Sequence, residues 1–191
     1  FRDQHGEVLG GEIAVVSCGK LGCREMTVGS DLDLLFVYDC PSNVGESDGR
    51  RPLPVAQYYS RLSQRLIGAI TAPTKDGKLY EVDMRLRPAG NAGPIASSFD
   101  AFARYQRSDA WTWEHQALTK ARVVCGSAQV STKINELVRE VLSVPRNHFA
   151  LSSEVVDMAT RLRAKHHEDS VWQVKHIPGG LFDIEFIAQY I

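Results

Sequence analysis

Residues 26 to 39 read MTVGSDLDLLFVYD, and they place Asp31 and Asp33 two apart at the mouth of an otherwise apolar strand. Successive strand side chains point to opposite faces, so Asp31, Asp33, Leu35 and Val37 share one face while Leu32, Leu34, Phe36 and Tyr38 share the other. The two acids then stand roughly 7 Å apart at the backbone. An apolar strand has no structural need for two acids at its start. Carboxylates this close repel each other unless a cation lies between them. Oxygen-only ligands suit a hard cation such as Mg²⁺ or Mn²⁺.

A second run, YEVDMRLR, sharpens the pattern. Read as a strand over 79 to 88, it puts Glu81, Asp83, Arg85 and Arg87 on one face and Tyr80, Val82, Met84 and Leu86 on the other. Asp83 is a third candidate metal-binding carboxylate. Arg85 and Arg87 are candidate phosphate ligands, because a guanidinium holds phosphate through paired hydrogen bonds. Gly29-Ser30 completes the set: glycine admits a bulky anion close to the backbone, and turn N–H groups with a hydroxyl cradle phosphate. Lys20, in GKLG, adds a point charge. Asp31, Asp33 and Asp83 are thus the candidate catalytic and metal-binding residues. Together these groups form a kit for moving a phosphoryl or nucleotidyl group. Each part alone has a bland reading: a solvated strand end, an ordinary turn, or a sheet face with cross-strand ion pairs. The combination is what carries the inference.

The surroundings are those of a cored protein. Of 191 residues, 43% are apolar and 24% charged, which excludes a disordered tail. No apolar run approaches the roughly 18 residues a membrane span needs. Neither a membrane nor a signal peptide is expected, and the expected location is cytoplasmic. A formal charge of −1 argues against a nucleic-acid partner. Four cysteines, at 18, 23, 40 and 125, lack metal-site spacing and read as reduced thiols. The chain starts with Phe1 and stops within the apolar pattern DIEFIAQYI, so both ends are expected to be cut from something longer.

Periodicity predicts strands over 12 to 18, 31 to 39 and 79 to 88. Helices are predicted over 55 to 71, over 99 to 106 capped by Ser98, over 109 to 122 capped by Ser108, and over 130 to 142 and 153 to 166. Pro178-Gly179-Gly180 opens a last helix. Residues 1 to 126 therefore read as an α/β (α+β) catalytic domain, and residues 127 to 191 as the start of a truncated all-helical region. Trp111, Trp113 and His115 read as core, and His166-His167 as a solvated helix end.

GSDLDLLFVYD followed by YEVDMRLRP resembles the nucleotidyltransferase superfamily that shares the DNA polymerase β fold, with its mixed sheet. More narrowly, GKLGCREMTVGSDLDLLFVYDCP, LYEVDMRLRPAGNAGP, DAWTWEHQALTKARVV and PGGLFDIEFIAQYI resemble glutamine synthetase adenylyltransferase over nearly the whole chain. That family carries two related halves. One attaches AMP to a tyrosine of glutamine synthetase; the other removes it by phosphorolysis, giving ADP. YDCP and AWTWEHQAL look more like the C-terminal, adenylylating half, and the deadenylylating half stays open as the alternative. A nucleotide-sensing domain without turnover is the third reading. The resemblance implies ATP as substrate, two Mg²⁺ ions, glutamine synthetase as protein substrate, and the PII signal protein and glutamine as regulators. It matches Asp31, Asp33 and Asp83 to metal-binding acids, and Gly29 and Ser30 to the triphosphate turn. Arg85 and Arg87 match basic residues beside the site. Asp183 and Glu185 belong to a signature whose role is expected to be structural. Cys23 replaces a usual glycine, so mild strain is expected there if that position needs a positive φ.

Overall fold

The computed structural model describes residues 1–165, 174–175 and 177–190. His166-His167 lies outside the described residues. In chain order the elements are α1 (Arg2–His5), β1 (Glu12–Ser17), α2 (Gly19–Cys23), β2 (Leu32–Asp39), α3 (Val55–Ile70) and β3 (Val82–Asp83). After a 3-10 turn at Gly90–Ala92 come β4 (Ala96–Ser98), α4 (Phe99–Ser108), α5 (Thr112–Leu118), β5 (Arg122–Cys125), α6 (Ala128–Leu142), α7 (His148–Lys165) and α8 (Leu181–Tyr190).

The sheet is mixed, as expected. β1 runs antiparallel to β2, with Glu12 opposite Asp39 and Ser17 opposite Leu34, and antiparallel to β5 on its other side. The far edge of β2 is shared: β3 pairs in parallel with Leu32 and Asp33, and β4 pairs in parallel with Phe36 to Tyr38.

Alternation along β2 feeds two cores. Leu35 and Val37 join Ala14 and Val16 of β1, Phe102 of α4, Leu118 of α5 and Val130 and Ile134 of α6. Leu34, Phe36 and Tyr38 join Val8, Leu53 and Tyr58 and Tyr59 of α3. Tyr38 stacks on Tyr59 with ring centroids 4.5 Å apart. Each aliphatic side chain so buried contributes about 1.5–3 kcal/mol of transfer free energy. Packing is continuous across Gly126, because α6 buries Val130, Ile134, Leu137 and Val141 in the same core as β1 and β2.

Two predicted elements are corrected. The strand over 79 to 88 shrinks to Val82–Asp83. Beyond Asp83 the edge of β2 belongs to β4, so the chain turns away: Arg87 N–H donates to the Met84 carbonyl (3.2 Å). The helix over 109 to 122 shrinks to α5, and Ser108 ends α4 rather than capping the next helix. Arg122–Cys125 instead becomes β5, because the free edge of β1 accepts it. Ser98 does cap α4, its Oγ accepting from Ala101 N–H (3.3 Å). Among the described residues, no helix is long and apolar enough to cross a membrane.

Candidate functional site

The site gathers at the start of β2. Because β1 runs antiparallel to β2, its end delivers Cys18 and Gly19 to the side of Asp33. Cys18 N–H donates to the Asp33 backbone carbonyl (2.9 Å). At Gly19 φ is +52°, and an added Cβ would lie 2.0 Å from Asp33 Oδ2, so this close approach requires glycine. On the other side β3 sets Asp83 directly opposite Asp33 in parallel register. The structure therefore brings two of the three predicted acids side by side. Asp31 precedes β2, is exposed, and acts on Asp33 through its charge.

Asp83 is clasped by Arg85. Arg85 N–H donates to Asp83 Oδ1 (2.8 Å) and Arg85 Nε–H to Oδ2 (2.7 Å). The turn after β3 folds the guanidinium back onto the acid two residues before it. Arg87 does not reach this cluster: its Nε–H donates to the Gly93 carbonyl (3.3 Å) and its Nη1 to the Met84 carbonyl (2.9 Å), holding its own loop.

The two acids titrate in opposite directions. Burial, then the charges of Asp83 and Asp31, push the Asp33 carboxyl above its usual range, outweighing Arg85 and Lys175. Burial also pushes Asp83 up, but the two hydrogen bonds and charge of Arg85, with Arg87 behind, together hold it below the usual range. Burial, aided by Asp33, pushes the Cys18 thiol up to about 12, so it is protonated and unreactive at neutral pH. All four cysteines are free thiols.

The glycine-serine turn lies just before Asp31. Gly29 has φ +78° and open space around a would-be Cβ, so conformation and not crowding calls for glycine there. Ser30 is buried; its N–H donates to the Thr27 carbonyl (3.1 Å) and its Oγ accepts from Thr27 N–H (3.0 Å). Lys20 Nζ donates to Thr27 Oγ1 (3.3 Å) and reaches Ser30 Oγ at 3.5 Å. Gly29, Ser30 and Lys20 thus form one small polar turn. The strain raised for Cys23 falls on its neighbour: Cys23 ends α2, and Arg24 takes the left-handed conformation (φ +64°).

Asp33, Asp83, Gly19 and Arg85 form one end of a cleft of about 500 Å³. Its opposite wall comes from α5 (Trp113, Gln116), from Lys120 in the turn after it, and from α7 and α8 (Met158, Phe186, Glu185). Lys120 pairs with Glu185 at 2.9 Å. Sequence reasoning missed Gly19, Trp113, Gln116, Lys120 and the cleft position of Glu185. Trp113 and Gln116 do share one face of α5, but nothing in their spacing says what that face meets. Trp111, expected in the core, is 68% exposed. Asp183 accepts from Gly179 N–H (2.7 Å) and pairs with Arg163, linking α8 to α7.

Among the described residues, no three His, Cys, Asp or Glu side chains close into a ready cation cage. The donor chemistry nonetheless fits a hard divalent ion. Asp31, Asp33 and Asp83 offer only oxygen, and the charges of Asp83 and Asp31, second to burial in raising Asp33, are a repulsion that a cation would relieve. Arg85 supplies part of that compensation at Asp83.

The family described as glutamate-ammonia ligase adenylyltransferase matches residues 1–137. Three curated relatives are each named bifunctional glutamine synthetase adenylyltransferase/adenylyl-removing enzyme. That of a Bradyrhizobium species is 48% identical over 191 residues, covering 100% of this chain and 19% of its own length. That of Rhizobium meliloti is 48% identical over 190 residues, again 100% of this chain and 19% of its length. That of Brucella suis is 49% identical over 187 residues, 98% of this chain and 19% of its length. The chain spans about one fifth of the length of these relatives. With the acids, the glycine turn and the cleft in place, a match over most of the chain makes it a member of the glutamate-ammonia ligase adenylyltransferase family.

Proposed function

We propose that the chain carries a nucleotidyltransferase site of the DNA polymerase β type that transfers AMP from ATP to a tyrosine hydroxyl of glutamine synthetase. The observation that supports this most is the pairing of Asp33 with Asp83 at one end of the cleft. In this reading the Gly29-Ser30 turn and Lys20 receive the triphosphate, and Arg85, still clasping Asp83, adds positive charge beside the phosphates. Asp31, Asp33 and Asp83 would hold Mg²⁺, two ions in this proposal. Bound there, such ions supply neutralisation of phosphate charge and polarisation of the α-phosphate.

The acceptor phenol has an ordinary pKa of about 10 and must lose its proton to attack. In this proposal Asp83, kept ionised by Arg85, accepts it. The phenolic oxygen then bonds to the α-phosphorus, and the bond from that phosphorus to the pyrophosphate oxygen breaks. The same residues serve the reverse class of step, with phosphate as nucleophile and ADP as product. The names of the relatives cover both directions. The YDCP and AWTWEHQAL segments favour the adenylylating one. The PII signal protein and glutamine are proposed as regulators of the longer polypeptide.

The test is incubation with labelled ATP, Mg²⁺ and unmodified glutamine synthetase. Wild-type chain is expected to transfer label, and Asp33→Asn to lose it by about 100-fold or more. Because that substitution removes carboxylate repulsion, the variant is expected to melt no earlier than wild type. Full transfer by a folded Asp33→Asn chain overturns the proposal. Incubating AMP-modified glutamine synthetase with phosphate and assaying ADP assigns the direction.

A further inference from the structure

The wall of the acid-bearing cleft contains an amide with nothing to bond. Gln116 on α5 is 6% exposed, and among the described residues neither its Oε1 nor its Nε2 has a hydrogen-bond partner. Buried side-chain amides nearly always find partners, so one that leaves both groups unpaired calls for an explanation. Gln116 shares its face of α5 with Trp113, three residues earlier, and both line the cleft that ends at Asp33 and Asp83, with Lys120 just past the helix end. It also borders a second cleft beyond α5, beside His115 and Thr119, which holds no acid.

We infer that Gln116 reads the base of the nucleotide, its Nε2–H donating to N1 of adenine and its Oε1 accepting from the 6-amino group. This rests on the nucleotidyltransferase reading of the same cleft. The chemistry selects the ligand. A carboxamide offers one donor and one acceptor side by side, which matches the adjacent acceptor and donor on an adenine edge. A phenol donates and accepts through one oxygen, which cannot meet Oε1 and Nε2 together with well-aligned hydrogen bonds. Trp113, Met158 and Phe186 give the same cleft apolar surface against which a flat base can lie. The acids and Arg85 stand at the end where the phosphates belong.

The unpaired state of both amide ends has a further consequence. Nothing anchors the amide, so it can turn by half a rotation and pair equally with hypoxanthine, whose donor and acceptor are exchanged. Gln116 therefore selects for a base with a polar 6-substituent and does not separate ATP from inosine triphosphate.

The experiment measures displacement of a ribose-labelled fluorescent ATP from the 191-residue chain, with Mg²⁺ present. The competitors are ATP, inosine triphosphate, purine riboside triphosphate (which lacks the 6-substituent) and inorganic tripolyphosphate. Wild type is expected to bind ATP and inosine triphosphate about 10-fold more tightly than purine riboside triphosphate. Gln116→Met is expected to bind all three alike, with tripolyphosphate unchanged. The variant loses no protein hydrogen bond and is expected to melt no earlier than wild type. Should it melt early, Gln116→Leu removes the same donor and acceptor with a different shape. A preference for ATP that survives in the folded variants, or is missing from wild type, overturns the inference while the nucleotidyltransferase reading stands. Failure of wild type to bind ATP and tripolyphosphate overturns both.

Discussion

A methyl group at position 19 would sit 2.0 Å from Asp33 Oδ2, while one at position 29 would touch nothing. Both glycines hold a positive φ, so an alanine at either place is strained by roughly 1–2 kcal/mol. Only at position 19 does it also displace the carboxylate. Gly19→Ala and Gly29→Ala are therefore expected to lose similar stability in urea denaturation. Only Gly19→Ala is expected to shift the Asp33 carboxyl in an NMR titration, towards its ordinary range as it swings from its buried place beside Asp83. Equal titration in the two variants would contradict the contact. The acids themselves were legible, because carboxylates two apart on a strand have no packing purpose. The clasp of Asp83 by Arg85 was not, because the residues were read as lying along one straight strand. A turn after Asp83 brings the guanidinium back instead.

At the scale of elements, α5 is held by a neutral histidine. His115 Nε2–H donates to the Gln106 carbonyl (2.9 Å), and Arg146 Nη2 donates to His115 Nδ1 (2.6 Å). Burial, with the Arg146 charge, outweighs the Gln106 hydrogen bond and lowers the His115 pKa. The folded state thus resists protonation more than the unfolded state, whose histidine has a pKa of about 6.5. The stability this confers is full above that value and is lost as pH falls towards the lowered folded value. Melting temperature measured from pH 7.5 to 5.5 is expected to fall in wild type and to fall less in His115→Gln. Parallel curves would rule this role out. The helical spacing of Trp111, Trp113 and His115 was visible in the chain. Their division between solvent, cleft and the Arg146 contact depends on α6 and α7, which arrive from later sequence.

At the scale of the molecule, α6 belongs to the sheet's core. Ile134 is 1% exposed among Val16, Val37 and Phe102. Ile134→Ala is expected to destabilise the chain by about 2–5 kcal/mol, through lost burial and the cavity left behind. Urea unfolding followed by circular dichroism is expected to shift as one transition. Separate loss of helix with the sheet intact would show that α6 folds apart from it. A boundary near Gly126 was reasonable from composition, since helices dominate afterwards. Composition does not report that the apolar stripe of α6 packs on β1.

The identity of this chain as a bearer of paired strand acids, a glycine-serine turn and two apolar strands was written in local pattern. Period-two alternation and turn chemistry act over a few residues and need no partner to be read. The short β3, the added β5, the clasp of Asp83 and the unpaired Gln116 were decided only when distant segments met. The edge of β2 can be shared by just so many residues, the free edge of β1 accepts whichever strand reaches it, and an amide is orphaned only by what packs around it.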